Sequence, residues 1–249
     1  RSALEGRRLE AVADLKVGQI TRWLDERRAD AQAAAGQAGI IAVRETWTRS
    51  GPDAVVRARL TAFLEGVRRP YRYRRVALVD ADGRVVMSSD GHFAPAAELR
   101  DAVSVALREG QPIETPLYRG GDPQDPMVHL DFVAPLAAEA GLAPLAIVLQ
   151  ADPESELFKY VQDWPAPSRT AETLQLRRDG AELQSLTPLR HGAGSALGER
   201  LALSRTDLLG VIVAENPARR GMALTARDYR GVSVLGVGRD VPGSDWLLV

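Results

Sequence analysis

The sequence predicts an α+β fold, a long N-terminal helix followed by two tandem modules built on antiparallel sheets. Three observations predict it. Apolar side chains recur at helical spacing over the first 38 residues, without a proline. Two Asp-Gly pairs, Asp82-Gly83 and Asp179-Gly180, lie 97 residues apart, each between β-rich runs; this is a strong hairpin signal. Each pair is then followed by the same order, a helix and three strands, the mark of an internal repeat.

The opening helix is expected over residues 1–38, with Leu9, Val12, Ala13, Ile20, Trp23, Leu24 and Ala31 inward. Lys16 and Arg27 interrupt that face and are expected to snorkel. Gly36 and Gly39 end the helix. A second helix follows from about Ile40 to Trp47, and a third from about Ala54 to Gly66 with Val55, Leu60, Phe63 and Leu64 inward. Ser50-Gly51-Pro52-Asp53 separates these two.

After Pro70 the pattern becomes strand (RRVALVD), Asp-Gly turn, strand (RVVMSS). A helix is expected at Pro95–Glu109, then strands at Ile113–Tyr118, Met127–Leu136 and Pro144–Leu149. Residues 153–163 form a connecting helix, with Pro153 in its first turn and Pro165 stopping it. The second hairpin (LQLRR, AELQSL) follows. A helix is then expected at Thr206–Asn216, and strands at Ala223–Leu224, Val232–Gly236 and Trp246–Val249. Trp164-Pro165-Ala166-Pro167-Ser168 reads as a rigid hinge. The expected division is therefore 1–66 (helices), 67–152 (first module), 153–164 (connecting helix) and 165–249 (second module).

Composition narrows the function. The 249 residues carry a net charge of −1, so no global field favours nucleic acid or an anionic membrane. The absence of cysteine excludes thiol catalysis, Cys-ligated zinc, iron–sulfur clusters and disulfides. His92, His129 and His191 lack metal-ligand spacing, so no metal is expected. The run from Gly192 to Gly198 matches neither a nucleophile elbow nor a dinucleotide fingerprint and reads as a loop. No catalytic residue, enzyme activity or cofactor is expected. No stretch reaches the ~20 apolar residues of a membrane-spanning helix. Arg1 begins inside a helical pattern and Val249 ends inside an apolar run, so the sequence is expected to be a module cut from a longer chain.

Hairpin, helix and three-stranded antiparallel meander is the order of a PAS-like sheet, with one face covered by a helix and the other face able to hold a small pocket. Here the chain resembles the periplasmic double-Cache sensor domains of bacterial transmembrane signalling proteins. The resemblance is carried by LKVGQITRWLDERRADA, VALVDADGRVVMSSDG, HLDFVAPL and LAIVLQADPESELF. It is sharpest in YVQDWPAPSRTAETLQLRRDG and DYRGVSVLGVGRDVPGSDWLLV. It implies a periplasmic part of an inner-membrane histidine kinase, diguanylate cyclase or similar receptor, tethered by flanking segments. It also implies that the membrane-distal module, 67–152, holds the ligand, and that the membrane-proximal module, 165–249, often binds nothing. Amino-acid-sensing members carry an Arg-x-Trp-Tyr run after the first hairpin. This chain has SSDGHFAPAAELRDAV there, although Tyr118 matches the pocket tyrosine. An α-amino acid is therefore not the favoured ligand.

Candidate ligand contacts follow from strand alternation. His129 and Asp131 share a face of MVHLDFVAPL with Val133. Tyr73 and Arg75 share a face opposite Val76 and Leu78, and Arg suits a carboxylate. Ser88 and Ser89 end the second strand, and Tyr118 and Arg119 the third; hydroxyls and a phenol orient ligands in apolar pockets. His92 is expected at the surface. The expected ligand is a small polar or carboxylate-bearing molecule, with weak homodimerisation through the N-terminal helix. The alternative is a ligand-free structural or protein-interaction module.

Overall fold

The computed structural model describes residues 2–51, 53–91, 93–120, 125–165 and 168–249. Pro52, His92 and the hinge residues Ala166 and Pro167 lie outside them. The chain divides into two compact units, Asp25–Pro153 and Arg1–Leu24 with Glu154–Val249. Helix α1 (Ser2–Ala35) crosses that division, and no helix is long and apolar enough to cross a membrane among the described residues.

In the unit Asp25–Pro153, α1 stops at Ala35 because Gln37 turns extended and starts α2 (Ala38–Ser50). Helix α3 (Ala54–Arg68) is capped by Asp53, whose carboxylate accepts from Val56 N at 2.8 Å. Its buried stripe is Val56, Leu60, Leu64 and Val67. Val55, expected inward, is 61% exposed: the stripe begins one residue later, and a shift of one residue turns a side chain by ~100°.

The first hairpin is β1 (Arg75–Asp80) and β2 (Val85–Ser88), followed by α4 (Ala97–Glu109). The single strand expected at Ile113–Tyr118 is two short ones, β3 (Ile113–Glu114) and β4 (Tyr118–Arg119); both pair with β5 (Val128–Pro135). Strand β6 (Leu145–Ala151) returns to the middle, giving the antiparallel order β2-β1-β6-β5-β3. Strand β6 is paired on both edges and is buried along its whole length. On one face of this sheet, Val79, Val133, Ala146 and Val148 pack with Leu99, Ala102, Val103 and Ala106 of α4.

The other unit continues with α5 (Leu157–Gln162), β7 (Gln175–Asp179), β8 (Glu182–Ser185) and β9 (Arg200–Ala202), the last not expected from the sequence. Then come α6 (Leu209–Glu215), β10 (Leu224–Arg227), β11 (Ser233–Gly236), β12 (Arg239–Asp240) and β13 (Trp246–Leu248). The sheet order is β12-β13-β7-β8-β9, with β10-β11 a separate pair. The expected three-stranded meander is therefore split, because the chain breaks strand geometry at Val237-Gly238. One half pairs with β10 and the other with β13. The last strand pairs with the first in both units, β6 with β1 and β13 with β7, which is the repeat seen at fold level. Helix α6 packs on Leu176, Leu183, Leu201 and Leu247. It approaches Gly238 so closely that a Cβ there would lie 2.8 Å from Val213 Cβ.

From α1 this unit buries Ala13, Ile20, Trp23 and Leu24. Lys16 does not snorkel. It is 2% exposed, and its ammonium donates to the carbonyls of Tyr160, Val161 and Asp163 at 2.9, 2.7 and 2.6 Å. Those carbonyls supply inside the protein what water would supply outside.

Candidate ligand-binding site

The candidate site lies on the α4-facing side of the first sheet. Register and alternation build it. Val79, Val133 and Val148 point toward α4, and side chains two or four residues along each strand share that face. These are Arg75 on β1, Asp131 and His129 on β5 and Gln150 on β6. Gln150 is directly opposite both Arg75 and Asp131, so Arg75, Gln150 and Asp131 form one polar row across three strands. Tyr118 is directly opposite His129.

Asp131 is the centre of this row. It is 0% exposed. The Tyr118 hydroxyl donates to its Oδ2 at 2.5 Å and Gln150 Nε2 to its Oδ1 at 3.0 Å. Its backbone is fixed by Thr115, which donates through N to Asp131 O and accepts from Asp131 N, both at 2.9 Å. Burial pushes the Asp131 carboxyl up to about 6, while the Tyr118 and Gln150 hydrogen bonds and the Arg75 charge pull the other way. Burial and the Asp131 charge also push the Tyr118 hydroxyl up, so it stays a donor.

Among the described residues, two acceptors on this face meet no donor. A carboxylate only accepts, so the Gln150 amide must turn its NH2 toward Asp131. Its Oε1 is then left buried without a partner among the described residues. His129, 3% exposed, sets its Nε2 3.3 Å from Asp125 Oδ2, so the ring proton sits on Nε2. Its Nδ1 lone pair is likewise buried and unmet. Burial lowers the His129 pKa, with Asp125 opposing, and the ring is neutral at pH 7. Each unmet acceptor costs about 1–3 kcal/mol when nothing bonds to it.

Arg75 stands at the other end of the row. Its Nε donates to both Asp90 oxygens, at 2.8 and 3.0 Å, and its guanidinium lies 4.0 Å from the Phe93 ring centroid. Ser88 donates to the same Asp90 at 2.7 Å. The arrangement offers negative charge and lone pairs at Asp131, Gln150 and His129, and a guanidinium on β1, directly opposite Gln150.

Of the residues singled out from the sequence, Arg75, Ser88, Tyr118, His129 and Asp131 come together here. Three do not. Tyr73 donates its hydroxyl to Asp30 of α1 at 2.6 Å and lies under Arg27. The backbone bends at Arg74 and β1 begins only at Arg75, so the alternation of β1 does not reach back to Tyr73. Ser89 accepts from Val76 N at 3.1 Å and closes the hairpin edge. Arg119 is exposed and donates to Pro126 O. Gln150, Thr115, Asp90 and Asp125 were not anticipated. Gln150 carried a signal, being the one polar residue of LAIVLQA; its place beside Asp131 needs the strand register.

No protein-family model matches the chain, and no curated protein matches it in sequence. Solved structures do match in fold. The ligand-binding domain of the Pseudomonas aeruginosa PAO1 amino acid chemoreceptor PctB, in complex with L-Arg, superposes with a TM-score of 0.63 at 14% identity. That match covers 100% of this chain and 94% of the other. The sensor domain of the V. cholerae histidine kinase DctB gives 0.61 at 13% identity, covering 97% and 94%. The ligand-binding domain of the Pseudomonas fluorescens chemoreceptor CtaA, in complex with L-serine, gives 0.59 at 13% identity, covering 94% and 91%. At such identities the likeness establishes the fold.

These structures correct one expectation. An amino acid was disfavoured as ligand because the Arg-x-Trp-Tyr run is missing. Domains of this fold are nonetheless solved with L-Arg, L-Gln, L-serine and 4-methylisoleucine. The missing run concerns one segment after β2, whereas the acceptors able to hold an ammonium are on β5 and β6.

Proposed function

We propose that this chain, whose fold is that of the periplasmic double-Cache sensor domains, is the extracytoplasmic ligand-sensing region of a bacterial transmembrane signalling protein. Its ligand carries a primary ammonium group, and an amino acid is the first candidate. The module 67–152 is the binding module.

One observation carries this reading. A fully buried carboxylate, Asp131, sits beside a buried amide oxygen, Gln150 Oε1, that meets no donor. An ammonium brings three N–H donors and a charge. Asp131 supplies the charge partner and Gln150 Oε1 the second acceptor. Tyr118 holds the Asp131 carboxylate in place from the far side. Asp90 takes up only the Nε of Arg75, so a ligand carboxylate has the terminal guanidinium nitrogens to meet. The ligands of the fold neighbours support the same chemistry. Binding would act by favouring one of two sheet–helix arrangements, as far as its affinity differs between them.

The test is calorimetric titration with a panel of amino acids, each beside its counterpart lacking the amine. Binding is expected for amine-bearing members only. Asp131→Asn is expected to weaken that binding at least tenfold, the order of a lost charge-assisted hydrogen bond. Equal affinity for the amine-free counterparts, or unchanged affinity in Asp131→Asn, would remove the ammonium from the site.

A further inference from the structure

Helix α5 follows the site strand β6 closely: Glu156, just before its first turn, comes six residues after Gln150. It is only six residues long, too short to be stable alone. Its Leu157, Phe158 and Val161 are buried, but its two ends are held by polar contacts from a single element.

At its start, the Glu156 side chain does not cap the helix. Its Oε2 accepts instead from Trp23 Nε1 of α1 at 2.7 Å. At its end, the last carbonyls of any helix lack intrahelical donors. Lys16 of α1 supplies them, bonding Tyr160, Val161 and Asp163 at once. The same ammonium lies 5.8 Å from the Trp164 ring centroid. Lys16 and Trp23 are seven residues apart, two helical turns, and so lie on one stripe of α1. Burial pushes the Lys16 ammonium down to about 8, with the Asp163 charge opposing; at neutral pH it is charged and donates all three hydrogens.

We propose that α1 clasps α5 at two points, Trp23 on Glu156 and Lys16 on the C-terminal carbonyls, so that the segment leaving β6 and the long helix move as one mechanical element. Lys16 and Trp23 are positioning residues. If the ligand reading holds, α5 becomes the step by which a change at β6 reaches α1. The clasp stands or falls without a ligand.

Amide hydrogen exchange on the whole chain tests it. Lys16→Met keeps the apolar stem and removes the three donors. The Tyr160 and Asp163 amides, bonded to Glu156 O and Lys159 O, are expected to exchange about tenfold faster. Rates in β7, β8 and α6 of the same unit should stay as they were. Trp23→Phe keeps a ring and removes one donor; it should speed exchange at Tyr160 and leave Asp163 nearly unchanged. Unaltered α5 rates in Lys16→Met, or an increase spread evenly over the unit, would overturn the clasp. Should Lys16→Met fail to fold, unaltered Tyr160 exchange in Trp23→Phe would overturn it equally.

Discussion

Asp131 is a fully buried carboxyl whose proton affinity stands well above its ordinary value. Its folded value of about 6 is above the unfolded reference of 3.8. The folded protein therefore binds that proton more tightly, and the Asp131 contribution to stability falls as pH rises from about 4 to about 6, while the lowered His129 pKa contributes the opposite slope. At neutral pH the buried charge costs about 3 kcal/mol relative to its protonated form. Asp131→Asn should flatten that slope in ligand-free protein and raise the melting temperature at pH 7. Urea unfolding of both proteins at pH 4, 5, 6 and 7 checks this; a stability difference between Asp131→Asn and wild type that does not grow in the variant's favour with pH would contradict it. A buried group that costs stability when empty, and that a cationic ligand would match, is what the proposed ligand reading requires of a binding residue.

At the scale of elements, close approach decides more than propensity does. Helix α6 reaches its sheet because Gly238 has no side chain, and Val213 opposite is β-branched and stiff. Gly238→Ala must push the helix away and is expected to cost about 1–3 kcal/mol, read as a lowered denaturant midpoint. Gly66, whose added Cβ would meet nothing within 4 Å, is the control. It lies inside α3, so Gly66→Ala should stabilise by about 0.5–1 kcal/mol. Equal effects of the two substitutions would show that the contact with α6 is not tight. A second element, α2, acts through Arg44. This nearly buried guanidinium donates to Ala137 O and Ala143 O, fixing the connection between β5 and β6.

For the whole molecule, the continuity of α1 matters most. Residues up to Leu24 belong to one compact unit and those from Asp25 to the other. A proline at this point removes a hydrogen bond and clashes with the preceding turn, at about 3 kcal/mol or more. Asp25 is exposed and its carboxylate accepts from Arg28 Nη1 at 2.8 Å. Asp25→Pro is expected to lower the melting temperature mainly through its backbone, while Asp25→Ala, which loses the same exposed pair, should change it little. Equal melting of the two variants would mean that the helix is not continuous across the boundary.

Much of this was legible in the sequence because it is local. The α1 stripe, the Asp-Gly hairpins and the 97-residue repeat each depend on residues near one another in the chain. So does the pairing of His129 and Asp131 on one face. The resemblance found in those same segments led to the fold that the solved structures share. What the sequence could not decide depends on partners distant in the chain. Gln150 becomes part of the site only through the register of β6 between β1 and β5. Tyr73 leaves it because the backbone bends at Arg74, between Tyr73 and the start of β1. Lys16 turns from a snorkelling side chain into a buried donor because three carbonyls some 145 residues away converge on it. Periodicity reports which way a side chain points, but burial and hydrogen bonding depend on what arrives from elsewhere, and only the tertiary fold fixes that.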